Sequence, residues 1–542
     1  MPSDIEIQPS TKSGHGWRFW GIMASLGAAS ILSALDATAM PSMVKDLGSS
    51  FAYIWIANAY FLTMTAFQPL YGQTSNIFGC RSLTIGAVFL FAAGSAISGP
   101  APNLGGLVAG RAIQGIGGGG INIMIDIVLC DLLPLRERPK YTAFIFMVYA
   151  VAVSLGPIIG GSLSDHVTWR WVFYLNLPVA GVALIMLIVS MRVQHNKNTT
   201  SNLLKRIDLG GNLLLIASVV SVLLALTWGG TEYPWSSWRT LVPLILGFAG
   251  IAAFVVVQSL NIIPEPTMPL RLFSNRTSLA GFGLTTIHAI LMYWQIYFLP
   301  LYFQSCLEAS PTLSGVYLLP TVIISMIFAV ISGISLTKLG HYRIWQVVGM
   351  AFFAIGYGVF SLLDENSTRA FWAGTQVFGA ASIGILATTT LPAIQAPLED
   401  ADVAVSVGAW GFVRSFGGIW GVAIPSAIFN SRVNELVVRI PDVRIRDMLL
   451  NGGAYSVASG EFISSLNYDP ALQSAVKTIY SESLQRCWQV GIGFGLLGII
   501  VALMGKEIPL RTLLETEFGI DDGDKTETEN GEHFNGQSSH TI

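Results

Sequence analysis

The sequence predicts an all-α polytopic membrane protein with fourteen transmembrane helices, two six-helix bundles plus an inserted helix pair. Three observations lead there. Charged residues, 29 basic and 32 acidic, make up only 11% of the 542, against about 25% in a soluble domain. They are clumped, leaving uncharged runs such as 82–110, 277–307 and 370–398, each able to supply the about 20 residues that cross a hydrocarbon core. A glycine pattern after the second apolar run recurs after the tenth. So little charge cannot cover a soluble fold of this length, which excludes a soluble enzyme. A net charge of −3 is too small to suggest a nucleic-acid or polyacidic partner.

The elements follow in order. Residues 1–18 form a cytoplasmic tail; Asp4 and Glu6, without a basic n-region, argue against a signal peptide. The first bundle, 19–192, holds spans 19–42, 52–73, 82–100, 105–130, 142–164 and 171–192. A linker, 193–278, carries the inserted spans 209–229 and 240–260. The second bundle, 279–505, holds spans 279–301, 313–335, 344–363, 371–394, 403–429 and 487–505, with 430–486 expected as an extracellular amphipathic loop. The acidic tail 506–542 is expected to be disordered in the cytoplasm. An even count puts both ends on one side, and seventeen Lys and Arg on the N-terminal side against four in the short opposite loops put that side inside. Cys80, Cys130, Cys306 and Cys487 lack metal-ligand spacing and read as buried thiols, with no metal site. Of the sequons at Asn198, Asn275 and Asn366, only Asn366 would face outward, in a short loop.

The loop after span 2 carries Gly72 and Gly79, then Arg81; the loop after span 10 carries Gly333 and Gly340, then Arg343. This matches span 2 with span 10, so spans 1–6 and 9–14 read as repeats around an inserted pair. Repeated halves with a site between them are a common transporter design.

Several segments, in order, then resemble the major facilitator superfamily, in particular its fourteen-helix drug:proton antiporter family, over about residues 19–505. Leu35, Asp36, Thr38 and Pro41 are similar to its span 1 signature, and Trp55, Tyr60 and Leu62 to span 2. The loop from Gly72 to Arg81 resembles the superfamily's inner-loop motif, and Arg111, Gln114, Gly115, Gly117, Gly118 and Gly119 its span 4 motif. Gly156, Pro157, Gly160 and Gly161 match the span 5 motif associated with antiporters, where Pro157 removes a helix hydrogen bond. Trp169, Trp171, Asn176 and Pro178 match the start of the next helix, while Trp228, Tyr233 and Trp235 are similar to fungal members. The chain departs from the pattern at Asn76, where the family usually has Asp, and at Cys80, where it has a basic residue. Gating through Gly72, Asn76, Gly79 and Arg81 therefore cannot use an ion pair at Asn76.

Charged residues inside spans are functional candidates. Asp36 and Arg111 each lie six residues from the outer end of their span, about 9 Å deep at 1.5 Å per residue. Desolvation and a nearby cation push a carboxyl in opposite directions, so small movements of Arg111 would switch proton release and uptake at Asp36. A static ion pair between two helices is the alternative. Asp126 reads either as a partner of Arg138 or Lys140 or as a site for a cationic substrate. Arg414 sits near the middle of span 13, where the resemblance implies gating or contact with an anionic substrate. His288 reads as a satisfied core histidine or a protonation site. Tyr60, Gln68, Gln114, His288, Trp294, Gln295 and Gln376, with Tyr293 and Tyr297, are the substrate-binding candidates: ring faces and amides suit amphipathic molecules. Gly115, Gly117 and Gly120 spell Gly-x-Gly-x-x-Gly inside an apolar span rather than after a strand, so no dinucleotide site is expected. Neither a Walker A sequence nor His-Glu-x-x-His occurs, and no cofactor is expected.

The reading is a transporter, not an enzyme, that exports an amphipathic organic small molecule in exchange for protons. It is expected in the lipid bilayer of the plasma membrane (alternatively the vacuolar membrane), as a monomer. A proton-coupled carrier of siderophores or basic amino acids and a transport-inactive receptor on the same fold are the alternatives.

Overall fold

The computed structural model describes residues 17–34, 52–191, 207–229, 233–260, 265–450 and 452–512. Asp36, Asn198, residues 1–16 and the acidic tail from Glu515 lie outside them. Among the described residues the chain is helical and carries no strand. Its long helices are, in chain order, α1 Trp17–Ala34, α2 Ala52–Phe78, α3 Cys80–Ser98, α4 Leu104–Leu132, α5 Arg138–His166, α6 Arg170–Ser190, α7 Leu209–Trp228 and α8 Trp238–Ser259. They continue as α9 Arg276–Ser305, α10 Leu319–Leu339, α11 Tyr342–Phe360, α12 Arg369–Gln395, α13 Val403–Leu436 and α14 Pro470–Met504. Eleven helical segments of the described residues are long and apolar enough to cross a membrane.

The largest difference from expectation concerns residues 430–486. Most of that stretch was expected to lie over the surface, yet α13 runs on to Leu436 and α14 begins at Pro470. Asp469 caps α14 by accepting from the amides of Ala471 and Leu472, with Pro470 at its first position. Lys477, Glu482 and Arg486 then ride on a helix that continues beyond its apolar part. Charge ends the apolar stretch there, not the helix. Between them lie the short helices Val443–Leu449, Gly453–Ser456 and Gly460–Ser465.

The recurring glycine pattern has one structural meaning in both places. Gly79, between α2 and α3, and Gly340, between α10 and α11, hold φ of 78° and 79°, a backbone that glycine adopts without steric cost. Each lets a long helix reverse within a residue or two. These turns share a face with Arg136, Arg138, Lys140, Lys506 and Arg511, the basic face of the protein.

Helices α1–α6 pack chiefly on one another, as do α9–α14. The second group encloses an aromatic core around Trp294, Phe298, Tyr357 and Trp488. The inserted helices α7 and α8 pack together, and α7 leans on α2. A buried polar network fixes them there. Asp208 accepts from the Gly211 amide at 2.6 Å, Gln258 Nε2 at 2.6 Å and Thr267 Oγ1 at 3.2 Å, and Asn212 Nδ2 donates to Gln73 Oε1 of α2 at 2.8 Å.

On the far face, the segment between α13 and α14 is covered and clamped, with Ile440, Ile445, Leu449 and Ile463 buried in the α9–α14 core. Glu308, in the left-handed backbone region at φ 55°, ion-pairs with Lys477 and accepts from Ser464 Oγ and Gln473 Nε2, both at 3.1 Å. The hydrogen bond from Lys477 is the main reason its carboxyl is held below the usual range. A depressed folded value makes this contribution complete above the unfolded pKa and lost as pH falls through the folded one. Residues 437–469 are therefore expected to resist protease from neutral pH down to about pH 4 and to loosen below it. Glu308→Gln removes that step. Wild-type protection that ignores pH, or an unchanged step in the variant, refutes the clamp.

Candidate functional site

In the first helix group, four helices converge on one guanidinium. Arg111 of α4, only 3% exposed, donates from Nε to the Ile56 carbonyl of α2 at 3.3 Å and from Nη1 to Gln114 Oε1 at 2.9 Å. Gln114 Nε2 passes the chain on to Ser95 Oγ of α3 at 2.9 Å. The guanidinium carbon stands 4.5 Å from the Tyr60 ring centre and 5.9 Å from that of Phe173 of α6. This convergence depends on the glycines of α4: a Cβ at Gly115 would strike the Tyr60 carbonyl, and one at Gly117 the backbone of Phe91 and Ala87. The run that mimics a nucleotide motif is a packing seam. Asp36, expected beside Arg111, lies outside the described residues. Gly156, Pro157, Gly160 and Gly161 fall within α5, and their surroundings lie outside them too.

The second group has its own amide cluster. Thr321 Oγ1 donates to Gln376 Oε1 at 2.7 Å, Gln295 Nε2 to Thr321 Oγ1 at 3.4 Å, and Gln376 Nε2 to the Tyr317 carbonyl at 3.0 Å. Gln114 and Gln376 sit on α4 and α12, equivalent helices in the sequence repeat. The structure places Trp294 wholly inside this bundle, edge-on to Tyr357 and Phe494. His288 is also buried, 3% exposed, against Phe353. Tyr293 and Tyr297 stack at 6.3 Å.

Between the groups, the basic face is sealed. Gly72 of α2 meets Gly408 of α13 so closely that a Cβ on Gly72 would lie 2.8 Å from the Gly408 Cα. Gly333 of α10 meets Pro139 of α5 in the same way, a Cβ falling 2.7 Å from its carbonyl oxygen. The first glycine of each repeated motif thus forms a crossing between the groups, and the second forms the turn. Around them Ser415 Oγ donates to Gln68 Oε1 at 3.0 Å, Asn76 Nδ2 to the Ala401 carbonyl at 3.5 Å, and Arg138 Nη1 to Gln395 Oε1 at 2.8 Å. Arg136 donates to the carbonyls of Thr337 and Lys338 at 3.0 and 2.7 Å. Among the described residues, no ion pair joins α1–α6 to α9–α14. Arg81 donates to the Ile188 carbonyl of α6 at 3.1 Å, and Cys80 to Asp131 Oδ2 of α4 at 2.7 Å.

Asp126 does not pair with Arg138 or Lys140. Arg138 is taken up by Gln395 and the carbonyls of Leu133 and Cys130, and Lys140 lies over the Tyr141 ring at 5.3 Å. Asp126 instead lines a cavity between the groups with Arg138, Thr388, Gln395 and Trp410. Arg414 of α13, partly exposed, stands 4.3 Å over the Trp410 ring. Gln395, Gly408 and Ser415 were not sequence candidates. Their only signal was small or polar residues within an apolar run, which many positions share.

Residues 21–422 match the Major Facilitator Superfamily. The MFS-type efflux pump LUC4 of a Fusarium species is 46% identical over 535 residues, 98% of this chain and 95% of that protein. The efflux pump FUS6 of Gibberella fujikuroi is 45% identical over 525 residues, 96% and 94% of the two chains. The acurin A biosynthesis cluster MFS-type transporter of Aspergillus aculeatus is 45% identical over 523 residues, 95% and 94%. In fold, the chain resembles the human organic anion transporter MFSD10 (TETRAN), with TM-score 0.56 at 13% identity over 90% of this chain and 100% of that one. It also resembles the proton:xylose symporter XylE, with TM-score 0.54 at 14% identity over 87% and 99%. A family match across most of the length and efflux-pump relatives along nearly all of it establish that the chain belongs to the Major Facilitator Superfamily, as a multi-pass efflux transporter and not an enzyme.

Proposed function

We propose that this transporter exports an amphipathic organic compound, a toxin or secondary metabolite, by proton antiport through alternating access. All fourteen helices cross the bilayer in this reading, with both ends in the cytoplasm. The halves 19–192 and 279–505 rock against each other, and the linker 193–278 carries α7 and α8. The observation that carries it is the pairing of near-full-length efflux-pump relatives, one named for a biosynthesis cluster, with a basic face closed by two glycine crossings between the halves. Crossings made of backbone part without breaking an ion pair.

Asp36 and Arg111 couple the proton. The Gly72–Arg81 loop, the Gly156–Gly161 stretch of α5 and Arg414 gate, and the substrate residues are Tyr60, Gln68, Gln114, His288, Trp294, Gln295 and Gln376. The protein works as a monomer in the plasma membrane. The test is accumulation of a panel of fluorescent or toxic amphipathic compounds in host cells lacking their own pumps. Wild type is expected to lower accumulation at least severalfold, an effect erased by a protonophore and by Asp36→Asn. Higher accumulation than in empty-vector cells would mean import, and retained pH-driven export in Asp36→Asn would remove that residue from coupling.

A further inference from the structure

The chain does not fray where α14 ends. Residues 506–512, expected in a disordered tail, run without regular secondary structure across the basic face. Tyr342 of α11 holds their start: its hydroxyl donates to the Lys506 carbonyl at 2.7 Å and accepts from the Ile508 amide at 2.9 Å. The Lys506 amide donates to Thr277 Oγ1 of α9 at 3.1 Å. Arg511 anchors the other end between α12 and α13, donating to the Leu398 carbonyl at 2.8 Å and pairing with Asp400 Oδ1 at 2.7 Å. All these partners belong to the second helix group, to which α14 also joins the segment.

Two contacts reach the first group. The Arg136 amide, between α4 and α5, donates to the Arg511 carbonyl at 3.1 Å. Leu510, only 5% exposed, lies in a buried apolar cluster with Leu135, Leu336, Tyr342, Ala393 and Ala396. Of these five, Leu135 alone comes from the first group.

We propose that residues 506–511 form a latch that travels with the second half and holds the basic face shut, with Leu510 as its bolt. Opening that face carries Leu135 and Arg136 away from the strap. The Arg511 carbonyl then loses its amide donor, and Leu510 loses one wall of its seat and meets water. Both losses fall on the open state alone, so the strap sets the idle transporter toward a closed basic face. The inference rests on the rocking of the two halves proposed above, and its test reads that rocking separately.

Spin labels at Lys140→Cys of α5 and Lys338→Cys of α10, both exposed on the basic face, measure the separation of the halves by pulsed electron resonance in the purified full-length protein. Without further change this pair is expected to show two distances, the shorter dominant. Leu510→Ala should raise the ratio of longer to shorter at least threefold, and the volume-conserving Leu510→Met should leave it unchanged. Arg511→Gln keeps Leu510 but drops the anchors at Leu398 and Asp400, and should raise the ratio at least twofold. If Leu510→Ala fails to purify as a monodisperse protein, Arg511→Gln decides the question. Two distances with an unchanged ratio in the deciding variant overturn the latch and leave the rocking intact. One distance throughout overturns both.

Discussion

Arg111→Met is expected to abolish proton-driven export, by at least tenfold in the accumulation assay, in a protein that still inserts and purifies. The substitution keeps an unbranched side chain in the same slot but removes the charge on which α2, α3, α4 and α6 converge. Gln114 Oε1 loses its 2.9 Å donor, the Ile56 carbonyl loses its 3.3 Å contact, and the Tyr60 face loses the cation 4.5 Å away. An unmade buried hydrogen bond costs about 1–3 kcal/mol and a desolvated cation–π contact about 2. The glycine seam of α4 is untouched, so the bundle keeps its packing. Arg111→Lys is expected to rescue little, because one ammonium cannot replace a planar fork that serves Ile56 and Gln114 while lying against a ring. Wild-type export by Arg111→Met would refute a coupling role for this cluster.

The second large effect separates a seam within one half from a seam between halves. Gly117→Leu pushes a side chain into the backbone of Phe91 and Ala87, neighbours within the same half throughout any rocking motion, and is expected to give no monodisperse protein. Gly72→Leu meets Gly408 only while the basic face is closed. Overpacking of this kind costs about 1–3 kcal/mol, which moves the open population roughly fivefold to 150-fold. The variant should therefore fold, lose most of its export and rest with the basic face open. A cysteine placed at Ser415, beside the crossing, reads that state. The native cysteines are all buried, and labelling of Ser415→Cys in inside-out vesicles should rise when Gly72→Leu is added. Unchanged labelling with normal export would sink the assignment of Gly72 to a moving crossing.

The helices were legible because charge is excluded from an apolar span, so gaps between charges mark spans directly. The start of α14 was not, because Lys477, Glu482 and Arg486 sit on a helix that outruns its apolar part. The repeated glycine pairs could be seen in sequence, but the crossings of Gly72 with Gly408 and of Gly333 with Pro139 could not, because those partners lie on helices of the other group. Arg111 and Gln114 were readable as neighbours one helical turn apart. Trp294 and His288 were harder to place because α9 is buried on most of its sides, so no apolar face singles out the one toward the cavity. The partners of Asp126 were misjudged for a related reason. Arg138 is close in sequence, yet Gln395 of α12, distant in sequence, claims it.

The crossings at Gly72 and Gly333 also fix how the gate answers to its surroundings. Among the described residues, the contacts that join the halves at the basic face are backbone approaches, amide and hydroxyl hydrogen bonds and arginine-to-carbonyl bonds, with no carboxylate–cation pair. Such contacts carry little long-range Coulomb energy for dissolved ions to screen. The resting balance between open and closed should thus answer to ionic strength only through the repulsion among the basic side chains the two halves bring together there, which added salt screens in favour of the closed state.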